Sequence, residues 1–234
     1  MVALRSITRH GTNQQQMDGV MVYLGQHGQH VNSLGLMGDP DDTYPQVVLW
    51  QLPQQLQLSS LQLQRLYLQL QPGDGCQGVL GAAACIAALK QLRLSGCHLC
   101  GGSSEVLAVA LAQLPAGLEH LTIRSLDFAG EVLFPAGALQ HLPHLTHLEL
   151  AWFDNVAPDE VSPALQSLQA LTRLAVLKLE DLPVVITTSM LTGMQHLTRL
   201  ELSHASYAGM LAAVGLRVPY CRRSVVLPRH GVVA

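Results

Sequence analysis

Leucines recur along this chain at intervals that leave it few ways to fold. The clearest copy runs from Leu89 to Leu99, where Leu89, Leu92, Leu94, Cys97 and Leu99 hold fixed places. Leucines two residues apart bury one face of a short strand, and a small thiol three residues further on suits a backbone turning away. One such match would mean little in a chain that is 49% hydrophobic. Recurrence makes it decisive: the second leucine of the pattern returns at Leu34, Leu66, Leu92, Leu121, Leu148, Leu177 and Leu200. Strands repeated in this way cannot each own a core, so successive coils must stack and share one.

The spacing within Leu89 to Leu99 is the leucine-rich repeat signature, and from Val31 to about Tyr207 the chain resembles that family. Intervals of 32, 26, 29, 27, 29 and 23 residues leave room for a helix between strands. The chain is therefore similar to the long, helix-bearing type, ribonuclease-inhibitor-like or cysteine-containing. That resemblance implies an α/β fold: a right-handed solenoid bent into a horseshoe arc, with a parallel concave β-sheet, helices on the convex side and about seven repeats. It divides the chain into an N-terminal helical cap over 1–30, the solenoid over 31–207 and an irregular C-terminal cap or tail over 208–234.

Local patterns fill in this outline. Met17, Val20, Met21 and Leu24 share one face of a helix over Asn13 to Gln26, expected to shield the first repeat. The second repeat offers several period-two alignments between Leu56 and Leu68; Leu63, Leu66 and Leu68 keep the next interval at 26 residues. Further helices are expected over Val79 to Leu89, from Ser103 or Ser104 through Leu114, near Ala136 to Leu142, from Ser162-Pro163 to Leu171, and after Thr187 or Thr188. Only Cys97 meets the Asn or Cys position of the repeat. Its equivalents are Asp39, Gln71, Leu126, Phe153, Leu182 and Ala205, so a ladder of such side chains along the turn is not expected. Val225 to Leu227 is a candidate last edge strand.

Composition excludes several functions. The net charge of -3 does not suit a nucleic-acid binder. Charge is uneven: nine acids against three bases lie between Ser125 and Glu201, and four arginines with no acid follow. The apolar run Val79 to Leu89 is too short to span a bilayer, and the first ten residues contain no apolar signal core. Five cysteines, Cys76, Cys85, Cys97, Cys100 and Cys221, are odd in number and form no flanking cap clusters, which points to a reducing compartment. A cytoplasmic protein is expected; the family resemblance adds cytoskeletal or ciliary assemblies as a secondary guess.

No stretch carries catalytic chemistry cleanly. Cys97-His98-Leu99-Cys100 is a CxxC without the second pair that structural zinc needs, and Cys97 is already explained as a turn residue. His141, His144 and His147 are spaced by three, but Pro143 breaks the helix that would align them. Asp39, Asp41 and Asp42 lack a calcium-loop spacing, and Gly73 to Gly78 lacks the lysine of a phosphate loop. No nucleophile elbow or zinc-protease motif occurs. An enzyme is therefore not expected, nor a cofactor, a metal, a membrane or a small-molecule substrate.

What remains is the face the strands create, seven strands about 4.8 Å apart giving a surface on the order of 30 Å long. Residues between the leucines point out. Arg65, Tyr67, Arg93, His120, Arg124, His147, Glu149, Lys178, Glu180, Arg199 and Glu201 are expected there, with Trp152 at a strand edge. Arginines gather toward the N-terminal half (Arg65, Arg93, Arg124) and glutamates toward the C-terminal half (Glu149, Glu180, Glu201), a charge-split groove able to orient a partner. The family resemblance implies a noncatalytic scaffold binding an unidentified protein on this face. The alternatives are a substrate-recognition subunit of a ubiquitin ligase, or a metal or redox protein using Cys97 and Cys100.

Overall fold

The computed structural model describes residues 6–9, 13–39, 48–49, 52, 56–69, 79–100, 109, 111–128, 137, 139–153, 167–180 and 194–203. Eight of its strands form one parallel sheet in chain order: β1 (Ser6–Arg9), β2 (Ser33–Met37), β4 (Ser60–Gln64), β6 (Gln91–Ser95), β8 (His120–Phe128), β9 (His147–Phe153), β10 (Val176–Glu180) and β11 (Arg199–Ser203). Leu34, Leu61, Leu92, Leu121, Leu148, Leu177 and Leu200 stand in register across it. Period-two alternation sends the leucines of β2 to β10, and the apolar residues two positions on, to one side, where they join a single apolar core running from Met17 to Leu197, with Leu200 packed against it. The leucine-rich solenoid expected from the spacing is what the chain forms.

A second, narrower ribbon runs beside the first. β3 (Val48–Leu49), β5 (Tyr67–Gln69) and β7 (His98–Cys100) pair in parallel, and β7 pairs with the far end of β8 at Asp127 and Phe128. Each early coil thus makes two strands separated by a corner.

That corner overturns the expected register of the second repeat. Leu66 does not align with Leu92; Leu61 does, and Leu63 aligns with Leu94. Leu66 instead takes the place of Cys97, so it, and not Gln71, is the turn equivalent. The backbone shows why. Gly38 N–H donates to the Gln64 carbonyl, Arg65 N–H to that of Ser95, and Gly96 N–H to that of Arg124, making Gly38, Arg65 and Gly96 one corner position in three coils. Arg65 adopts a φ of 51°, beside 60° at Gly96, the left-handed conformation a turn demands and a strand forbids. The local pattern offers two Leu-x-Leu strands, and only pairing with neighbouring coils decides which belongs to which sheet.

Entry into each strand has its own ladder. The carbonyl of Asn32 accepts from Ser59 and Ser60 N–H, that of Ser59 from Lys90 and Gln91, that of Lys90 from Glu119 and His120, and the pattern continues through Glu119, Thr146 and Ala175. Hydroxyls of Ser59, Thr146 and Thr198 donate to the same carbonyls at 3.0, 3.0 and 3.1 Å. These bonds tie each coil to the next at the start of its strand, on the opposite end from the turn where Cys97 sits.

Among the described residues the connections are helical only in part: the end of the helix expected through Leu114 is helical, with Gln113 N–H bonded to the Val109 carbonyl, and others fall short. Helix α1 (Gln14–His27) forms as the apolar spacing predicts, with Asn13 and Gln16 in a reciprocal capping box and Met17 and Leu24 buried. It joins β1 to β2, two strands of the same sheet, so it is the connection within a coil. Helix α2 (Val79–Ala84) stops short of the expected Leu89, and Leu89 N–H bonds back to Ile86 three residues earlier. The same three-residue bond recurs at Leu118, Leu145, Leu174 and Leu197. The described part of the helix expected near Ala136 to Leu142 is a turn of this kind, and that of the Ser162 helix is a 3₁₀ turn, Ser167–Ala170. Buried residues every third position, such as Leu139, Leu142 and Leu145, suit a three-residue turn better than a 3.6-residue one. The Ser103 or Ser104 cap, Ser162-Pro163, the Thr187 or Thr188 cap, Pro40 to Asp42, Gly73 to Gly78, Val225 to Leu227 and the tail 208–234 lie outside the described residues. Among described residues, no helix is long and apolar enough to cross a membrane.

Candidate functional site

The outward side of the main sheet, concave in this fold, is built by the residues that alternate with the buried leucines. One row carries Ser33, Ser60, Gln91, His120, His147, Val176 and Arg199 across successive strands. Beside it run Gly35, Gln62, Arg93, Thr122, Glu149, Lys178 and Glu201, then Met37, Gln64, Ser95, Arg124, Ala151, Glu180 and Ser203. Nine expected residues lie on this face: Arg93, His120, Arg124, His147, Glu149, Lys178, Glu180, Arg199 and Glu201.

Arg65 and Tyr67 do not. Arg65 sits at the corner, and Tyr67 belongs to the second ribbon, where its ring meets His98 edge-on with centroids 4.7 Å apart. The shifted register brings Ser60, Gln62 and Gln64 in their place. A signal for this stood in the sequence: Ser59, Thr146 and Thr198 each lie two residues before a strand leucine, and only Leu61 in the second repeat has such a hydroxyl ahead of it. Trp152 lies on β9, but its side chain is outside the described residues.

The face divides by charge, though not as a simple split. Arg124 reaches Glu149 at 3.3 Å and, across the intervening strand, Glu180 at 2.7 Å. Ala151 stands between Arg124 and Glu180 in register and is fully buried although it points outward. Its single methyl lets the guanidinium pass over it, and the ion pair roofs it. Lys178 holds Glu201 at 3.0 Å, and Arg199 pairs with the same carboxylate. Burial pushes the Glu201 carboxyl up, but hydrogen bonds and charge from Lys178 and Arg199 outweigh it and hold the group below the usual range. At the rim, Lys90 bonds Glu119 at 2.8 Å and lowers its carboxyl in turn, first through the hydrogen bond and then through its charge.

His120 and His147 stack across β8 and β9, centroids 4.2 Å apart and ring planes 22° from parallel. Partial burial, His120 and the Lys178 charge, in that order, make His147 harder to protonate than an ordinary histidine. The three spaced histidines have separate roles: the His141 ring lies 3.0 Å from the Leu114 carbonyl, the Arg173 guanidinium 2.8 Å from His144 Nδ1, and His147 faces the groove. Among described residues no three His, Cys, Asp or Glu side chains are grouped to hold a metal.

Cys97 is buried, and its thiol donates to the carbonyls of Leu63 at 3.4 Å and Ser95 at 3.6 Å. Burial pushes its pKa up to about 11, against the pull of the backbone at Leu66, Ser95 and Arg65, leaving a poor nucleophile at neutral pH. Cys100 lies on β7 with its side chain outside the described residues. Cys85 is disulfide-bonded.

No family model matches the chain, and no curated protein does either. Solved structures resemble it at low identity. An internalin from Listeria monocytogenes is 17% identical, with 83% of this chain and 54% of that one covered and a TM-score of 0.47. The octameric complex of Latrophilin 3, Unc5D and the leucine-rich repeats of FLRT2 gives 19% identity, 75% and 61% coverage and a TM-score of 0.39. The plant peptide hormone receptor RGFR1 in complex with RGF2 gives 14%, 76%, 38% and 0.39. The chain thus spans less than two thirds of each.

Proposed function

We propose that this chain, a leucine-rich repeat protein by its own strand register and shared leucine interior, binds another protein on its concave face without catalysing a reaction. The observation that carries the reading is the register itself. From β2 to β11 the outward side chains form three continuous rows over one rigid sheet, a polar surface fixed by the strands beneath it. Rigid elements preorganise contacts and lower the ordering cost of binding. The redox alternative is weakened because Cys97 is buried, protonated and bonded to backbone.

Affinity capture from the native source, with wild type and a triple variant Gln62→Lys, Thr122→Lys and Lys178→Glu, tests this. The triple variant is expected to lose a partner that the convex-side variant Gln113→Lys with Gln140→Lys retains. Identical partner sets for all three proteins would remove the concave-face reading.

Compartment is a separate question. The cysteine count supports the cytoplasmic reading, and a disulfide at Cys85 that persists in the purified protein would count against it. Thiol titration of protein purified without reductant distinguishes them: a full set of free thiols supports the cytoplasm, and two fewer support the disulfide.

A further inference from the structure

On the C-terminal half of the concave face each acid already has a cation: Arg124 serves Glu149 and Glu180, while Lys178 and Arg199 serve Glu201. On the N-terminal half the outward positions of β2, β4 and β6 are serine, glycine, methionine and glutamine, with one formal charge, Arg93. Arg93 is exposed, lies between Gln62 and Thr122 in register, and has no acid paired with it among the described residues. An unpaired guanidinium presents a planar fork of donors matched to one carboxylate. Around it Gln62, Gln64 and Gln91 each offer an amide donor and an acceptor, the pair of functions that an extended backbone presents in alternation.

From this we infer that the N-terminal half of the concave face takes an extended polypeptide segment whose aspartate or glutamate side chain pairs with Arg93, its backbone running over the glutamine amides. The inference rests on the concave-face reading and narrows it to one half and one partner chemistry. A phosphate, with nearly two charges, would call for a cluster of cations, and a nucleic-acid backbone for a stripe of them; this half offers one. A partner held by apolar anchors would find only Met37 among these outward side chains.

Selection of a displayed random octapeptide library on the immobilised full chain is the test. Enriched peptides should carry an acidic residue, and changing it to its amide should weaken binding about tenfold, the scale of one charge-assisted hydrogen bond. On Arg93→Gln that difference should vanish, whereas Arg173→Gln, away from the face, should preserve it. Enrichment of acid-free peptides, an acid effect that persists on Arg93→Gln, or no enrichment overturns the inference. Peptides lost on the Gln62→Lys, Thr122→Lys, Lys178→Glu chain yet indifferent to Arg93→Gln would overturn it while leaving the concave-face reading intact. Peptides indifferent to both would remove the two together.

Discussion

The two halves of the concave face rest on the same scaffold and differ in what their polar residues do. Beneath β4 and β6, Leu61, Leu63, Leu92 and Leu94 are as deeply buried as Leu148, Leu150, Leu177 and Leu179 beneath β9 and β10. Above them, the C-terminal half spends its charge internally, linking three strands through Arg124 and two through Lys178. The N-terminal half holds amides, hydroxyls and one open cation. Identical packing below therefore says nothing about chemistry above: a solenoid separates the residues that fold it from those that face outward.

The largest expected effect tests the shared interior. Leu94→Ala and Leu150→Ala should each destabilise the chain by about 2–5 kcal/mol in urea unfolding. Similar losses would confirm one cooperative spine; a loss confined to one of the two would divide it.

Next in size is the corner that Gly38, Arg65 and Gly96 share in the early coils. A Cβ at Gly38 would lie 2.0 Å from the Arg65 carbonyl oxygen, so Gly38→Ala should cost about 1–3 kcal/mol by forcing those coils apart. Arg65→Gly, which relieves a left-handed arginine but frees the unfolded chain, should change stability by less than about 1 kcal/mol. A change as costly as that at Gly38 would show that the arginine side chain, and not its backbone, holds the corner.

Smaller still is the cost of opening the charge clamp. Both partners of Arg124 are about a quarter exposed, at 22% and 28%, so water screens the pairs, and Arg124→Gln should cost about 1 kcal/mol or less, diminishing further in high salt. Ala151→Leu, which raises a side chain in the path between Arg124 and Glu180, should reproduce that loss of salt sensitivity with both charges present.

The least effect is expected from protons. His147 is harder to protonate folded than unfolded, so the unfolded chain binds protons first as pH falls below about 6.5, and stability should decline there. His147→Gln should lessen the fall in melting temperature between pH 7.5 and 5.5. An unchanged profile would mean the stacked pair is not what sets it.

Much of this was legible in the residues. Six of the seven marker leucines stand where the spacing put them, and nine proposed face residues follow from alternation alone, because a period of two leaves each residue only two sides. The second coil was misread because Leu61 to Leu68 contains two equivalent Leu-x-Leu segments, and hydrophobicity ranks them equally. The hydroxyl of Ser59 was the cue, but its meaning depends on a carbonyl 27 residues away. The pairing at the middle of the expected charge split was hidden for a similar reason: Arg124 and Glu180 are 56 residues apart, and only the register that aligns them across Ala151 makes them a closed pair.

By itself the sequence determined a stacked parallel sheet over a leucine interior, since no other arrangement buries leucines with that periodicity. The tertiary structure alone decided where each coil turns its corner and which charges find partners. Those outcomes depend on hydrogen bonds and ion pairs between coils, whose partners are distant in the chain and adjacent only once it has stacked.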